Sequence, residues 1–457
     1  MSDAPALPPH APPPPPQPDA RVGDVGDRAR RRVRRRLLPF LMLLYVVAFL
    51  DRVNVNFAAL AMGHDLGFGP REFGFGAGIF FLGYFLFEIP GTLIVERWSA
   101  RRWMTRILIS WGLVAAAMSL VKTPTQFFAL RFFLGLAEAG FFPGIIVYLT
   151  HWFPAPDRAK AMGLFTVALP ISNMLGAPIS GLLLGVHWAG LAGWRWLFII
   201  EGAPAVILGV VTFFFLTDRP HAARWLPPDE RAWLVDALAA EAARRPGATA
   251  HRFGAALGDR RVWLLSLAYF LVVVPSYGFQ LWLPQVVRNG SNLSSLGVSL
   301  VVDLAYVFGL PSLLLFGWSS DRSRERCWHA AIPILMLSSG LILTALLQGH
   351  WPAVLLGLIL AGAGLNAHLP AFWALPPTFL GGNAAAGSIG LINSIGNLGG
   401  FVGPYLVGFL KEGRSSFAPG LVALAIFGAL ASAMILTLRF PSEASRRQPY
   451  GQAPEIS

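Results

Sequence analysis

The chain carries unusually little charge. Of its 457 residues only 13% are Asp, Glu, Lys or Arg, whereas 55% are hydrophobic. A water-soluble domain has about 25% charged residues, so this composition excludes a soluble protein over most of the length. The mean hydropathy of +0.57 points the same way. We therefore expect the chain to be embedded in a lipid bilayer.

Cysteine is almost absent as well, since Cys327 is the single one in the sequence. No disulfide can form within the chain. The sequence also lacks a metal-ligand spacing, a Ser or Cys nucleophile placed beside a His, and a glycine-rich loop ending in Lys-Ser or Lys-Thr. We accordingly predict that the protein is not an enzyme and holds neither a metal nor a cofactor.

Basic residues give a formal net charge of +12, but they fall in short clusters between apolar segments. This distribution is typical of membrane topology, so we expect no nucleic-acid partner. Residues 1–36 combine a proline run with RARRRVRRR at 28–36. We predict a disordered cytoplasmic tail whose arginines anchor the first membrane helix, with a nucleic-acid or partner motif as the alternative. Because a full-length apolar segment follows, no cleaved signal peptide is expected.

Twelve apolar segments are each long enough, at about 20 residues, to cross a bilayer. The longest polar interval, 217–261, divides them into two sets of six. We predict an all-α membrane protein of twelve transmembrane helices, in two six-helix bundles (37–216 and 262–439) related by pseudo-symmetry. The interval 217–261 is then a cytoplasmic linker and 440–457 a second cytoplasmic tail. The segments are 37–61, 73–95, 104–121, 125–150, 160–184, 194–216, 262–286, 296–318, 329–348, 352–379, 385–410 and 419–439.

The distribution of Lys and Arg predicts the orientation of these segments. With the N-terminus in the cytoplasm, 28 of the 36 basic residues lie on the cytoplasmic side and six on the other, while Arg52 and Arg131 lie within the membrane. Cytoplasmic loops carry the excess of Lys and Arg in membrane proteins. We therefore predict a multi-pass protein of the cell (inner) membrane with both termini in the cytoplasm.

The two sets of six segments also resemble each other. VERWSARR (95–102) follows segment two, and SDRSRERC (320–327) follows segment eight. LGAPISG (175–181) in segment five has a counterpart in FVGPYLVG (401–408) of segment eleven. Internal repeats of this kind are typical of transporters that rock two similar bundles about a central site.

Charged residues interrupt the first and fourth apolar segments. FLDRVNVNF (49–57) contains Asp51 and Arg52 side by side, and burying one charge in hydrocarbon costs about 2.5–3.5 kcal/mol on the mildest scale. At about 1.5 Å per residue, this pair and Arg131 lie at similar depths, and Glu138 follows Arg131 on the same helix face. We predict that the four side chains share one cavity, provided that the two segments are neighbours.

Two interpretations of this cluster stay open from the residues alone. Opposite charges neutralise each other, so the cluster can be a purely structural ion-pair network. Ionisable groups inside membranes are more often substrate or proton sites, however. An arginine binds a carboxylate through two parallel hydrogen bonds, and a buried carboxyl group can gain and lose a proton. An anion that competes for the arginines would then link substrate and proton occupancy.

Other segments place polar or aromatic side chains at plausible cavity positions. Each can bind a substrate, or it can instead satisfy or pack against a neighbouring helix. These side chains are Tyr84, Asn173, Tyr277, Gln280, Trp373, Asn393 and Asn397.

Six stretches, spread over both halves of the sequence, together resemble a known family of proteins. They are FLDRVNVNFAAL (49–60), RFFLGLAEAGFFPGIIVYLTHWFP (131–154), RWLPPDERAWL (224–234), YGFQLWLPQVV (277–287), FWALPPTFL (372–380) and INSIGNLGGFVGPYLVG (392–408). With them the sequence resembles the major facilitator superfamily. More narrowly it resembles the anion:cation symporter family, which takes up organic acid anions such as sugar acids, tartrate and phthalate.

The resemblance implies a role for each buried charge. Asp51 and Glu138 would be the proton-coupling acids. Arg52 and Arg131 would contact the substrate anion, and Arg131 would also pair with the acids. The seven polar and aromatic side chains named above would line the substrate site.

The resemblance also implies that the loops after segments two and eight act as inner gates. Here the sequence departs from the superfamily, because Glu96 and Ser99 stand where an Asp and a Gly are usual. The gating residues would be Glu96, Arg97, Asp321 and Arg322.

Together these features predict a monomeric, proton-coupled secondary transporter that imports a small organic carboxylate anion by alternating access. An organic-anion exchanger, a sodium-coupled carrier and a non-transporting polytopic membrane sensor are the alternatives. Sugar acids, dicarboxylates and aromatic acids all fit an arginine-lined site. Phe49 stands just before Asp51, and its apolar ring weakens the expectation of a highly hydroxylated substrate.

Overall fold

The computed structural model describes residues 20–243, 258–376 and 382–438, and the regular elements within these ranges are helices. The first half forms a continuous series of helices joined by short turns. They are α1 (Ala20–Leu66), α2 (Pro70–Arg97), α3 (Ala100–Ala117), α4 (Pro124–Glu138), α5 (Phe141–Trp152), α6 (Ala155–Thr166), α7 (Ala168–Leu183), α8 (Gly193–Phe215) and α9 (Pro228–Ala243).

The second half repeats this pattern of long helices. They are α10 (Arg260–Asn289), α11 (Ser295–Ser323), α12 (Cys327–Leu346), α13 (Trp351–Leu365), α14 (Leu369–Trp373), α15 (Gly382–Asn397), α16 (Gly399–Lys411) and α17 (Ala418–Thr437).

Local sequence explains where several helices begin. Ser99 caps α3 by accepting a hydrogen bond from the backbone of Arg102, and Thr123 caps α4 in the same way through Gln126. Both are residue types that favour this position, because their oxygen satisfies an otherwise unpaired helical N–H group. Proline opens α4 in the first turn, where its missing N–H costs nothing.

Ten stretches of the described chain are long and apolar enough to cross a membrane. They match ten of the twelve predicted segments. The other two predictions, 73–95 and 385–410, coincide with α2 and with the pair α15 and α16. The C-terminal ends of segments 352–379 and 419–439 lie partly outside the described residues.

The predicted fourth segment, 125–150, is not a single helix. It breaks after Glu138, where Gly140 adopts the left-handed value φ 83° before α5 begins. Glycine tolerates this conformation because it has no Cβ. The break places Glu138 at the very end of α4, in the interior of the molecule.

The predicted disordered tail at 1–36 is wrong for residues 20–36, which continue α1 as a helix. The reason is that the predicted linker supplies acidic partners. Arg32 of α1 pairs with Glu230 at 2.9 Å, and Arg28 pairs with Asp229 at 3.2 Å. The arginines therefore have a protein partner, namely α9. Residues 1–19, 244–257 and 439–457 lie outside the described residues, so the structure does not test the remaining predictions for the tails and the linker.

The two halves meet along α2 against α16, α7 against α11, and α1 against α10. Small residues allow the closest approaches, since Gly74 of α2 faces the backbone of Pro404 and Gly78 faces that of Phe401. Large apolar side chains on the outer surface are exposed, Phe214 by 78% among them. Such a surface is suited to contact with lipid.

Candidate functional site

The centre of the candidate site is Arg52, which joins three helices. Its guanidinium forms an ion pair with Glu138 at the end of α4, through Nη2 and Oε1. Its Nη1 donates a hydrogen bond of 3.3 Å to the hydroxyl of Tyr277 in α10. The side chains of the first and fourth predicted segments therefore meet, and a residue of the second half completes the contact.

Aromatic rings surround the same guanidinium. The Arg52 Cζ atom lies 5.0 Å from the ring centroid of Phe49 and 5.5 Å from those of Phe80 and Tyr84. A cation over an aromatic face is attracted by the ring quadrupole, and more strongly where water is excluded. Tyr84 therefore contacts Arg52 with its ring, which holds the arginine in place.

Arg131 is buried but does not pair with an acid as the family resemblance implied. Its guanidinium donates to the backbone carbonyls of Gly76 (3.3 Å) and Ala77 (3.1 Å) and lies 4.9 Å from the ring centroid of Phe80. The carbonyl oxygens of α2 thus satisfy two of its donors. Among the residues that the structure describes, no carboxylate contacts the positive charge of Arg131.

Asp51 is only 1% exposed, and its contacts are neutral. It accepts a hydrogen bond of 2.9 Å from the side-chain amide of Asn54, one helical turn along α1, and another from the indole Nε1 of Trp111 in α3. The predicted pair of coupling acids is therefore divided. Glu138 contacts a cation directly, whereas Asp51 is held by uncharged donors.

A small pocket lies between α1, α2 and α4 of the first half and α10 of the second. Arg52 and Arg131 both line it, while Asp51 and Glu138 are not among its lining residues. Both arginines of the cluster therefore reach the pocket, while Glu138 pairs with Arg52 without being a lining residue. The lining residues are Phe49, Arg52, Asn56, Phe81, Arg131, Tyr277, Gln280 and Leu281.

The second half contributes neutral groups to this pocket. The ring of Tyr277 packs 4.4 Å from that of Phe81, and the Gln280 side-chain amide donates to the backbone of Ser276 at 3.2 Å. The backbone carbonyl of Gln280 accepts 3.0 Å from the side chain of Asn56 in α1. Both predicted residues of α10 therefore lie in the site and contact the first half.

Asn393 and Asn397 are not among the residues that line the pocket, and they belong to a different polar cluster. Asn393 donates to the Glu88 carboxyl group at 2.6 Å, Ser394 donates to its other oxygen at 3.0 Å, and Asn397 also bonds to it. Glu88 is in α2, so this cluster ties the two halves together. From the sequence, Glu88 was interpreted as a gate or loop residue and not as part of the substrate site, and its partners in the second half were not predicted.

Asn173 and Trp373 do not line the pocket either. Asn173 is buried in α7, and its Oδ1 atom has no hydrogen-bond partner among the described residues. Trp373 packs 5.0 Å from Tyr269 and 5.5 Å from Phe372 in an aromatic cluster of the second half. Of the two roles left open for Trp373, substrate binding or packing against neighbours, the structure agrees with packing.

The predicted gating residues form local contacts where they are described. Asp321 pairs with Arg326 at 2.7 Å, and Arg322 lies over the ring of Trp318 at 5.5 Å, so both interactions stay within the second half. Glu96 and Arg97 end α2, and their side chains lie outside the described part of the chain. Ser99 donates to Asp218 at 2.9 Å, a partner that sequence reasoning missed.

Comparisons with known proteins agree on one family. The model described as Major Facilitator Superfamily matches residues 41–404. A protein from Agrobacterium vitis named "Putative tartrate transporter" is 48% identical over 91% of this chain and 95% of its own length. A "Quinolone resistance transporter" from Acinetobacter baumannii is 42% identical over 87% of this chain and 91% of its own.

Among solved structures, the inward-facing, occupied crystal structure of a bacterial homolog of the human lysosomal transporter Spinster is similar in fold. The TM-score is 0.70, and the likeness covers 88% of this chain and 95% of that one. Because the sequence identity is 18%, this likeness concerns the fold alone.

Proposed function

The chain belongs to the Major Facilitator Superfamily, and we propose that it carries a small organic carboxylate anion across the membrane together with protons. The family and the named relatives make it a polytopic membrane transporter and not an enzyme, as predicted. They also confirm the predicted all-α fold of major facilitator type, and they remove the alternative of a non-transporting sensor.

The observation that carries the substrate proposal is the pocket with two arginines in its wall. Arg52 and Arg131 both line it, and the acids of the cluster do not. Arginine binds a carboxylate through parallel charge-assisted hydrogen bonds, which are about twice as strong as neutral ones. A relative that is 48% identical is named for tartrate, an organic dicarboxylate, and this supports the same class of substrate here.

The contact between Arg52 and Glu138 supports the proposed proton coupling. A substrate carboxylate that takes up the Arg52 guanidinium draws it away from Glu138. A buried carboxylate left without its cation is costly, and the cost disappears when the group binds a proton. Substrate binding and proton binding at Glu138 therefore favour each other in this proposal.

Alternating access requires contacts between the halves to open and close. We propose that the bonds from Arg52 to Tyr277 and from Asn393 to Glu88 are among those that break as the halves rock. The predicted orientation, with both termini in the cytoplasm of a bacterial inner membrane, and import by a monomer belong to the same proposal.

A second candidate is supported by the relative that is 42% identical and named for quinolone resistance. Quinolone drugs also carry a carboxyl group, so the arginine-lined pocket is compatible with them. This candidate differs from the first in the direction of transport, which would be outward.

Uptake of labelled tartrate and of other organic acids into proteoliposomes tests the proposal. An imposed inward proton gradient should drive accumulation, and a sodium gradient of equal size should not. Exchange without stimulation by either gradient would replace symport by the exchanger alternative. Absence of flux for every acid, together with proton-driven transport of a quinolone, would favour the second candidate.

A further inference from the structure

Three arginines near the start of α1, namely Arg31, Arg34 and Arg35, are exposed on the surface of the protein. In the part of the chain that the structure describes, none of the three has a hydrogen bond, an ion pair or a ring contact. Arg28 and Arg32 of the same basic run, by contrast, pair with acids of α9. The fold therefore leaves part of the positive charge of this run available to a ligand.

The three side chains lie together on one side of α1, which we call the basic face. Their spacing of i, i+3 and i+4 makes them neighbours on a helix. The opposite side carries Ala29 and Val33, which are buried against the rest of the protein. Like charges at this spacing repel one another, and an anion that binds between them removes the repulsion.

The basic face continues the side of α1 that lines the pocket. α1 is a single helix over Ala20–Leu66, and Arg34 precedes Arg52 by about five full turns of 3.6 residues. At 1.5 Å per residue, the two arginines are about 27 Å apart along the helix. Leu38 and Tyr45 lie between them on the same side and are buried. The basic face and the pocket are therefore two separate places on one side of one helix.

We propose that the basic face is a second anion site, which collects the organic carboxylate and passes it to or from the pocket. The identity of the anion rests on the proposed function. Arginine binds a carboxylate through charge-assisted hydrogen bonds, often in parallel pairs. A surface of one charge also raises the association rate of an oppositely charged ligand by about 10- to 1,000-fold, and this gain falls as salt is added. The site serves the side of the membrane that holds the N-terminus, which we predict to be the cytoplasm.

Modification of arginines by phenylglyoxal, read residue by residue by mass spectrometry of the purified protein, tests binding at the basic face. With tartrate as the probe at low ionic strength, modification of the three arginines should slow down. The same protection should persist in Arg52→Ala, which lacks the contact in the pocket. Arg219 and Arg224 are exposed arginines of the first half and serve as internal controls that tartrate should not protect. Equal protection of the controls, or no protection of the basic face, would overturn the inference.

Tartrate exchange in membrane vesicles of opposite orientation tests the role in transport. Changing the three arginines of the basic face to glutamine should raise KM about tenfold at low salt in inside-out vesicles, without changing the maximal rate. KM in right-side-out vesicles should stay at the wild-type value. Lys160→Gln/Arg219→Gln/Arg224→Gln removes the same charge from other exposed positions of the first half and should keep the wild-type KM in both orientations.

An unchanged KM in inside-out vesicles, or an equal rise in both orientations, would overturn the proposal. Loss of the effect in proteoliposomes that lack anionic lipid would overturn it in favour of lipid headgroups as the ligand of the three arginines. Absence of tartrate flux in the wild type is a separate failure, which concerns the proposed function. The protection by tartrate in the purified protein then still decides whether the basic face binds the anion.

Discussion

The first half of the chain supplies the charges of the site, and the second half supplies neutral groups. Arg52, Arg131 and Glu138 all come from α1 and α4, whereas α10 contributes Tyr277 and Gln280. The buried ion pair of the site lies wholly within the first half. Across the halves, the bonds at the pocket join a charged or amide group to a hydroxyl or a backbone carbonyl.

In the proposed transport cycle the two halves move relative to each other, and this division of charged and neutral groups has an energetic meaning for that movement. Breaking a buried ion pair by removing one partner costs about 3–5 kcal/mol, whereas a hydrogen bond contributes about 0.5–1.5 kcal/mol net, or about 1.5–3 kcal/mol where one partner is charged. Hydrogen bonds between the halves are therefore cheap to exchange for others. The ion pair of Arg52 and Glu138 lies within one half, so movement of the two bundles does not by itself break it.

Among the variants that test this contrast between the halves, Arg52→Ala should have the largest effect on stability and binding. It leaves Glu138 buried without its cation, so we expect the free energy of unfolding to fall by about 3–5 kcal/mol. It also removes two charge-assisted bonds to a substrate carboxylate, which corresponds to at least about 100-fold weaker binding. Thermal unfolding and isothermal titration calorimetry of the purified protein measure the two effects.

The double variant Arg52→Ala/Glu138→Gln is the control for this loss. Neutralising the stranded acid should restore much of the stability without restoring binding. Wild-type affinity in Arg52→Ala would contradict the assignment of the substrate contact to the first half.

Glu138→Gln should affect coupling more than binding. The amide keeps the shape of the side chain but cannot exchange a proton, so proton-driven accumulation should fall to the level reached without a gradient. Counterflow exchange of the same acid should continue, because it needs no net proton movement. Glu72→Gln at the start of α2 makes the same chemical change away from the pocket and should leave both assays unchanged. Retained driven uptake in Glu138→Gln would show that the coupling role is wrong.

Tyr277→Phe should have a modest effect, since it removes one hydrogen bond between the halves. The ring contact with Phe81 is kept, and only the bond from Arg52 is lost. We expect a change of about 1.5 kcal/mol, the lower end of the range for a bond to a charged group, which is roughly tenfold in the binding constant. A loss as large as that in Arg52→Ala would erase the distinction between the charged and the neutral half.

The smallest predicted effect concerns the contact of α9 with α1, at the polar edge of the first half. The backbone N–H of Glu230 holds the pKa of Asp229 below its ordinary value, and Arg28 acts in the same direction. Since this pKa is lowered on folding, the contribution to stability is present above about pH 3.8 and is lost as the pH falls further. Hydrogen exchange over residues 28–36 should accelerate in that acid range, and Asp229→Asn should make the rate less dependent on pH. Equal pH dependence in both proteins would contradict this role.

Much of the fold and the centre of the site were predictable from the sequence. Segment length and apolar composition located the membrane helices, and counting about 1.5 Å per residue brought Arg52 and Glu138 into one region. Tyr277 and Gln280 also lie at the pocket. These features depend on position along single helices, which a sequence records directly.

The remaining features depend on contacts between distant parts of the chain. Trp111 binds Asp51 from 60 residues away, and Asn393 binds Glu88 from 305 residues away. Nothing in the local pattern specifies such partners. The helix at 20–36 was missed for the same reason, because its arginines pair with Asp229 and Glu230 about 200 residues later.

The most direct test of the account is a proton count during binding. A thermal-shift panel that includes tartrate first identifies the acid that stabilises the purified protein most. Adding this acid to weakly buffered wild-type protein should cause net proton uptake, because the substrate takes Arg52 from Glu138. In Glu138→Gln the uptake should fall while binding persists. Binding of the acid with no proton uptake by the wild type, or with equal uptake by Glu138→Gln, would contradict the link between anion and proton in the first half.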